Sequence, residues 1–224
     1  MTNWAKIAQD SIRPSNRAEE VVFADGDTKD IVSVILHADG LAAPFTENFA
    51  PYFREQEHTP GLLGYRSTRA TTELIWKFVK QNIRYKKDAN GHERIKSPGK
   101  LWEDKVGDCK SMSIFVASLL RNLNIPYKYR FAHYSNPNRP NDQEVNHVFV
   151  VAMDERGREI PVDTVTGKFD YEEPYEFAWD ADITSGQGAA SVGEIFGLGA
   201  IAGKTFIPLL TAFLVGFMTA KLSE

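Results

Sequence analysis

The stretch "CKSMSIFVASLLRNLNIP", residues 109–126, constrains the fold more than any other part of the chain. Met112, Phe115, Val116, Leu119, Leu120 and Leu123 recur at helical spacing and make a stripe too broad for a surface helix. The spacing predicts a central buried helix that Pro126 ends. Such a helix needs packed layers around it, and the flanking sequence supplies them. "YKYRFAHY" alternates Tyr127, Tyr129 and Phe131 against Lys128 and Arg130, the period of a half-buried strand. "VNHVFVVAM" and "REIPVDTV" read as two further strands, joined as a hairpin around "DERG". Upstream, Leu74, Ile75, Phe78, Val79 and Ile83 share one helical face behind a Ser67 or Thr68 cap. "DTKDIVSVILHADG" reads as another helix, capped by Asp27 or Thr28 and stopped by Gly40. The fold class is α+β, helices first and then an antiparallel sheet.

The remaining segments carry weaker signals. Residues 1–26 read as polar and irregular, with a turn at "FADGD", and residues 41–66 as an extended covering segment. "KKDANGHERIKSPGK" and "SNPNRPNDQE" read as polar loops. The expected organisation is a covering segment (1–66), a core (67–180), a flexible linker (181–193) around "TSGQGAAS", and an apolar tail (194–224). Within that tail, residues 195–220 hold one charge, Lys204, and a Gly199–Gly203 pair suited to close helix packing, though Pro208 interrupts the run. As a helix this run would be about 39 Å long, enough for a hydrocarbon layer of about 30 Å. It is expected to enter a membrane or a hydrophobic protein partner. No basic-then-apolar leader opens the chain, so the expected location is the cytoplasm or a membrane reached through the tail. A net charge of −4 and a pI near 5.8 give no footprint for nucleic acid.

The chemistry centres on the single cysteine, which excludes an internal disulfide framework and a multi-thiolate zinc site. Cys109 directly precedes the apolar helix, where terminal amides and the helix dipole favour an anion. Gly107 leaves the backbone open to a substrate, and the Cys109 N–H would face outward as an oxyanion donor. A thiolate needs a base and an orienting group. With a three-residue hairpin loop at Asp154–Arg156, residue 153 pairs with 157 and His147 stands directly opposite Asp163 on one face. His133, at a strand end, is the second-choice base because it lacks a downstream partner. A second oxyanion donor could come from Trp102, Tyr85 or Gln81. "DGDTKD" at 25–30 lacks the glycine and final glutamate of a calcium loop and reads as capping, while His58 and His92 read as solvated. Tyr127, Tyr129 and Phe131 read as core or cleft wall.

The run "WEDKVGDCKSMSIFVASLLRNLNIPYKYR", then "NHVFVVA" and "IPVDTV", resembles the transglutaminase-like superfamily of papain-fold cysteine enzymes. "TTELIWKFVKQNIRYKKD" is similar to the helix and strand that precede the cysteine in bacterial members, and the resemblance covers residues 67–166. Phe149 keeps the aromatic that family versions often place two residues after the histidine, whereas Thr164 stands where they often have proline. The resemblance implies a papain-like core with a Cys109–His147–Asp163 triad and no metal or organic cofactor. It implies amide or isopeptide hydrolysis through a thioester, on a peptide, protein or cell-wall substrate, in a bacterial or phage protein working near an envelope. Acyl transfer by the same triad is the first alternative. A non-enzymatic interaction protein on this fold, associated with a membrane or virion, is the second.

Overall fold

The computed structural model describes residues 3–16, 21–24, 28–55, 65–88, 92–135 and 144–183. The linker from residue 184 and the apolar run 195–220 lie outside them, as do the 136–143 part of the second polar loop, Asp27 and His58. Among the described residues, no helix is long and apolar enough to cross a membrane.

The predicted central helix is present. Cys109–Asn122 (here α6, counting from the N-terminus) is buried without a break from Lys110 to Leu120. Before it run α1 (Trp4–Ser11), β1 (Val21–Ala24), α2 (Thr28–Thr46), α3 (Pro51–Arg54), α4 (Thr68–Asn82), β2 (Arg84–Tyr85), β3 (His92–Ile95), α5 (Pro98–Asp104) and β4 (Val106–Gly107). After it come β5 (Tyr127–His133), β6 (His147–Met153), β7 (Glu159–Val162) and β8 (Phe177–Asp182). The last four form an antiparallel sheet in the order β7-β6-β5-β8. Helices α2, α4 and α5 pack on α6 from the helical side, and β6 packs on it from the sheet side. Polar residues on α6 bond locally within this packing: Ser113 donates to the Val148 carbonyl at 3.1 Å, and Ser118 to that of Phe115 at 2.7 Å. The helix closes at Leu123, with Asn124 at φ 54°, two residues before Pro126.

Several elements depart from the sequence reading. Gly40 does not stop α2, which continues to Thr46 because Val32, Ile35, Leu36, Asp39, Ala42, Phe45 and Thr46 keep one buried face along it. Burying Phe45 returns roughly 1.5–3 kcal/mol, more than the roughly 1 kcal/mol that an interior glycine costs. Pro44, within the last turn, cannot donate to the carbonyl of Gly40, which lies on the exposed side. The segment after Gly40 is therefore helical as far as Thr46 and again at α3, not extended. The N-terminal residues are also ordered into structure: Asn3 caps α1, and Trp4 stacks on Phe53 at 4.9 Å in an aromatic cluster with Phe49 and Phe78. β1 pairs with β3, so part of the charged loop is a strand, and its Ser97-Pro98 start opens α5.

The sheet carries a strand, β8, that the alternation of apolar residues did not mark. It pairs with β5, placing Asp180 opposite Arg130 and Asp182 opposite Lys128. Arg130 bonds Asp180 through Nε at 2.7 Å and Glu172 through Nη1 at 2.6 Å, while Lys128 reaches Asp180 at 2.7 Å. The face expected to be solvated is thus closed by ion pairs. On the opposite face the hydroxyls of Tyr127 and Tyr129 donate to Asp39 Oδ1 at 2.7 and 2.9 Å, and Arg121 pairs with its other oxygen.

Asp39, only 1% exposed, therefore ties α2 to both α6 and β5. Asp39→Ala should cost about 3 kcal/mol in urea unfolding, because it strands a cation and two buried hydroxyls. Asp39→Asn, which keeps an acceptor oxygen, should cost clearly less; equal losses would contradict this role.

Candidate active site

Three elements converge on Cys109, His147 and Asp163. Asp108 caps α6, its Oδ1 accepting the Ser111 N–H at 3.1 Å, which sets the start of the helix at Cys109. The Cys109 side chain is partly exposed, and its backbone N–H has no acceptor among the described residues. His147 opens β6, and Asp163 directly follows β7.

The hairpin register differs from the expected one by two residues. Met153 pairs with Glu159 and Val150 with Val162, so the loop spans residues 154–158 and not 154–156. The cause lies in the turn: Asp154 Oδ1 accepts both the Arg156 and Arg158 N–H groups at 2.8 Å, and Gly157 sits at φ 74°. A shift of two preserves the face on which each side chain stands. His147 and Asp163 are thus diagonal neighbours on one face, and His147 Nε2 lies 2.8 Å from Asp163 Oδ2. The longer loop moves the pair out of direct opposition without breaking it.

Asp163 is 2% exposed and fully engaged. Its Oδ1 accepts the Val165 N–H at 2.9 Å, and its carbonyl accepts Trp76 Nε1–H at 2.7 Å and the Thr166 hydroxyl at 3.0 Å. With Nε2 committed to Asp163, Nδ1 is the ring nitrogen left for sulfur. Cys109 lies close enough to act on the imidazole both as a hydrogen-bond partner and as a charge. Burial disfavours the charged ring, yet Asp163 and Cys109 together outweigh it and push the His147 pKa up to about 10. The Tyr134 ring packs against the imidazole at 5.7 Å, with its buried hydroxyl unbonded among the described residues.

The charges beside Cys109 are balanced by Lys110. Its ammonium contacts the carboxylates of Asp108 and Glu93 and lies 4.0 Å from that of Asp88. Those three carboxylates converge as metal ligands can, but Lys110 already supplies the cation between them. Burial opposes its charge, while Asp108 and Cys109 favour it more strongly and hold its pKa above the ordinary lysine value.

The other expected residues sort clearly. Tyr85 pairs in register with Gly107, and its phenol is held protonated up to about 12, by burial first and then by the negative charges of Cys109, Asp108 and Asp163. It therefore lies within electrostatic reach of these three groups. Trp102 is buried and stacked on Phe78 at 5.5 Å, with its Nε1–H unbonded among the described residues. Gln81 is exposed on α4. A Cβ at Gly107 would meet Leu101 Cδ1 at 2.4 Å, so a larger residue there requires the Leu101 side chain to shift. His133 faces away from His147 across the register, bonds the Glu144 carbonyl through Nδ1 at 2.5 Å and stacks on Phe177. It is a packed core histidine. The side chain of His92, in β3, lies outside the described residues. Trp76 and Tyr134 were not legible as site residues, because Trp76 stands on α4 outside the apolar face that marked that helix.

Trp76→Phe removes one hydrogen bond to the Asp163 backbone, worth about 0.5–1.5 kcal/mol. Alkylation of Cys109 by iodoacetamide should slow by about two- to tenfold while the fold persists by circular dichroism. A wild-type rate would show that Asp163 is held without Trp76.

Residues 62–164, a span that contains all three side chains, match the model of the transglutaminase-like superfamily. No curated protein matches the chain. Among solved structures, a candidate protease from Parabacteroides distasonis is similar, at 10% identity and a TM-score of 0.45, over 60% of this chain and 26% of that one. A candidate cysteine protease from Cytophaga hutchinsonii is similar at 18% identity and a TM-score of 0.38, over 65% of this chain and 48% of that one. The chain thus spans between a quarter and a half of the length of these two structures. Over residues 62–164 this chain is thus similar to the transglutaminase-like superfamily.

Proposed function

We propose that the protein is a cysteine-dependent hydrolase of amide or isopeptide bonds, with Cys109 as nucleophile, His147 as acid and base, and Asp163 as the orienting carboxylate. The observation that carries this reading is the 2.8 Å His147–Asp163 bond through Nε2, which leaves Nδ1 to the cysteine at the α6 N-terminus. A ring held protonated at neutral pH suits a thiolate–imidazolium pair.

In the first half-reaction, Sγ attacks the substrate carbonyl carbon and the carbonyl π electrons move to oxygen. The Cys109 N–H faces that oxygen. The protonated phenol of Tyr85 is the second donor that the site offers. As the tetrahedral species collapses, the C–N bond breaks and the imidazolium gives its proton to the leaving amine. A thioester remains. Neutral His147 then takes a proton from water as the water oxygen attacks, the C–S bond breaks, and the acid departs with Cys109 regenerated. Asp163 fixes the ring by Nε2 throughout. Peptide, protein side-chain and cell-wall amides all fit this chemistry. Entry of the apolar run 195–220 into a membrane or a protein partner belongs to the same reading.

An electrophilic probe followed by peptide mass mapping tests the nucleophile. Wild-type protein should carry one adduct at Cys109, and Cys109→Ala should lose both the adduct and turnover of any amide substrate found. Asp163→Asn should lower turnover by about 10²–10⁴-fold, less than loss of the nucleophile. An unreactive Cys109 in folded protein would favour a scaffold role. Products trapped by an added primary amine in place of water would redirect the reading to acyl transfer.

A further inference from the structure

Beside the nucleophile lies a cavity of about 450 Å³ whose wall includes Gly107 and Asp108, the two residues preceding Cys109. Lys86, Lys87, Arg94 and Lys96 line it together with Asp88, Asp108 and Ser111. The balance of charge is uneven in a specific way. The carboxylates are already served: Asp108 by Lys110 and the Ser111 N–H, and Asp88 by the Arg94 N–H at 2.7 Å. Lys96 is held by Asp104 at 2.7 Å and the Val106 carbonyl at 2.8 Å. Lys86, Lys87 and Arg94, by contrast, are exposed and pair with no carboxylate among the described residues. Three uncompensated cations thus face one cavity in a chain of net charge −4.

The frame that carries them is tied to the first turn of α6. The Lys86 N–H donates to the Gly107 carbonyl at 2.8 Å, and the Lys96 N–H to Ser111 Oγ at 3.1 Å. Ser111 Oγ in turn donates to the Arg94 carbonyl at 3.3 Å. The backbones that bear the three cations are therefore fixed relative to the residue that bears the sulfur. The cavity wall includes Asp108, the residue before Cys109, and Ser111, two residues after it, so a chain bonded to Sγ lies beside it.

We propose that this cavity is a specificity subsite for an acidic group, a carboxylate side chain or terminus close to the scissile bond, received by Lys86, Lys87 and Arg94. This rests on the reading of Cys109 as the nucleophile. The acyl part of the preferred substrate then carries a negative charge, and selection weakens as salt screens the cations.

The test uses the full chain and a panel of acetyl-tetrapeptide vinyl sulfones in an alanine background. Each probe places a single Glu, or its neutral match Gln, at one of the four positions. Cys109 adduct formation is followed by intact mass. At one position the Glu probe should react about tenfold faster than its Gln match, with the ratio falling at high salt. A Lys86→Gln, Lys87→Gln, Arg94→Gln triple variant should bring that ratio to about one, and Lys87→Glu alone should lower it. The proposal is overturned if no position shows a Glu preference while the neutral probes label Cys109, or if the preference survives in the triple variant. Failure of every probe, iodoacetamide included, to label Cys109 would instead overturn the nucleophile reading beneath it.

Discussion

One hydrogen bond between two strands, His147 Nε2 to Asp163 Oδ2, depends on a register that a turn several residues away decides. Asp154 holds the turn by accepting two backbone amides, and Gly157 supplies the left-handed residue between them. A slip of one residue would carry His147 and Asp163 to opposite faces. The orientation of the imidazole, the nitrogen it offers to Cys109 and the charge it holds all follow from this pairing. Trp76 and Thr166 hold the Asp163 backbone carbonyl from outside the sheet, and the Val165 N–H holds its Oδ1.

The helix that carries Cys109 sits in a different balance. It is buried along most of its length, so its N-terminal charges cannot rely on water. Asp108, 2% exposed, caps the helix but also places a carboxylate one residue from the sulfur. Lys110 offsets it and is itself held by Glu93 and Asp88 from neighbouring segments. The sheet shows the same economy: Lys128 and Arg130 are largely covered, and β8 and Glu172 bring the carboxylates that make this tolerable.

Much of this was legible in the residues. The stripe Met112–Leu123 and the alternation from Tyr127 identified the core, and the order of cysteine, histidine and aspartate pointed to three residues that the fold brings together, because apolar period and motif order are local signals. The failures are equally physical. Gly40 reads as a stop only when the buried face continuing through Phe45 is ignored, and that face is defined by packing on α6. The strand Phe177–Asp182 lacks a clean apolar period because its partners are the charges of Arg130 and Lys128. The loop length was misread because the Asp154 side chain replaces backbone turn bonds, and "DERG" does not announce it. Trp76 acts through a backbone carbonyl far along the chain, which no spacing encodes.

The account stands on a His147 ring that keeps both nitrogens protonated at neutral pH, one toward Asp163 and one toward sulfur. Ring ¹⁵N–¹H spectra of histidine-labelled protein between pH 5 and 10.5 measure this directly, with His147→Gln providing the assignment among the five histidines. The predicted result is an imidazolium that persists through neutral pH and loses its proton only near about 10, with that midpoint falling in Asp163→Asn. A ring that titrates near its ordinary value of 6.5, with one nitrogen bare at pH 8, would contradict it.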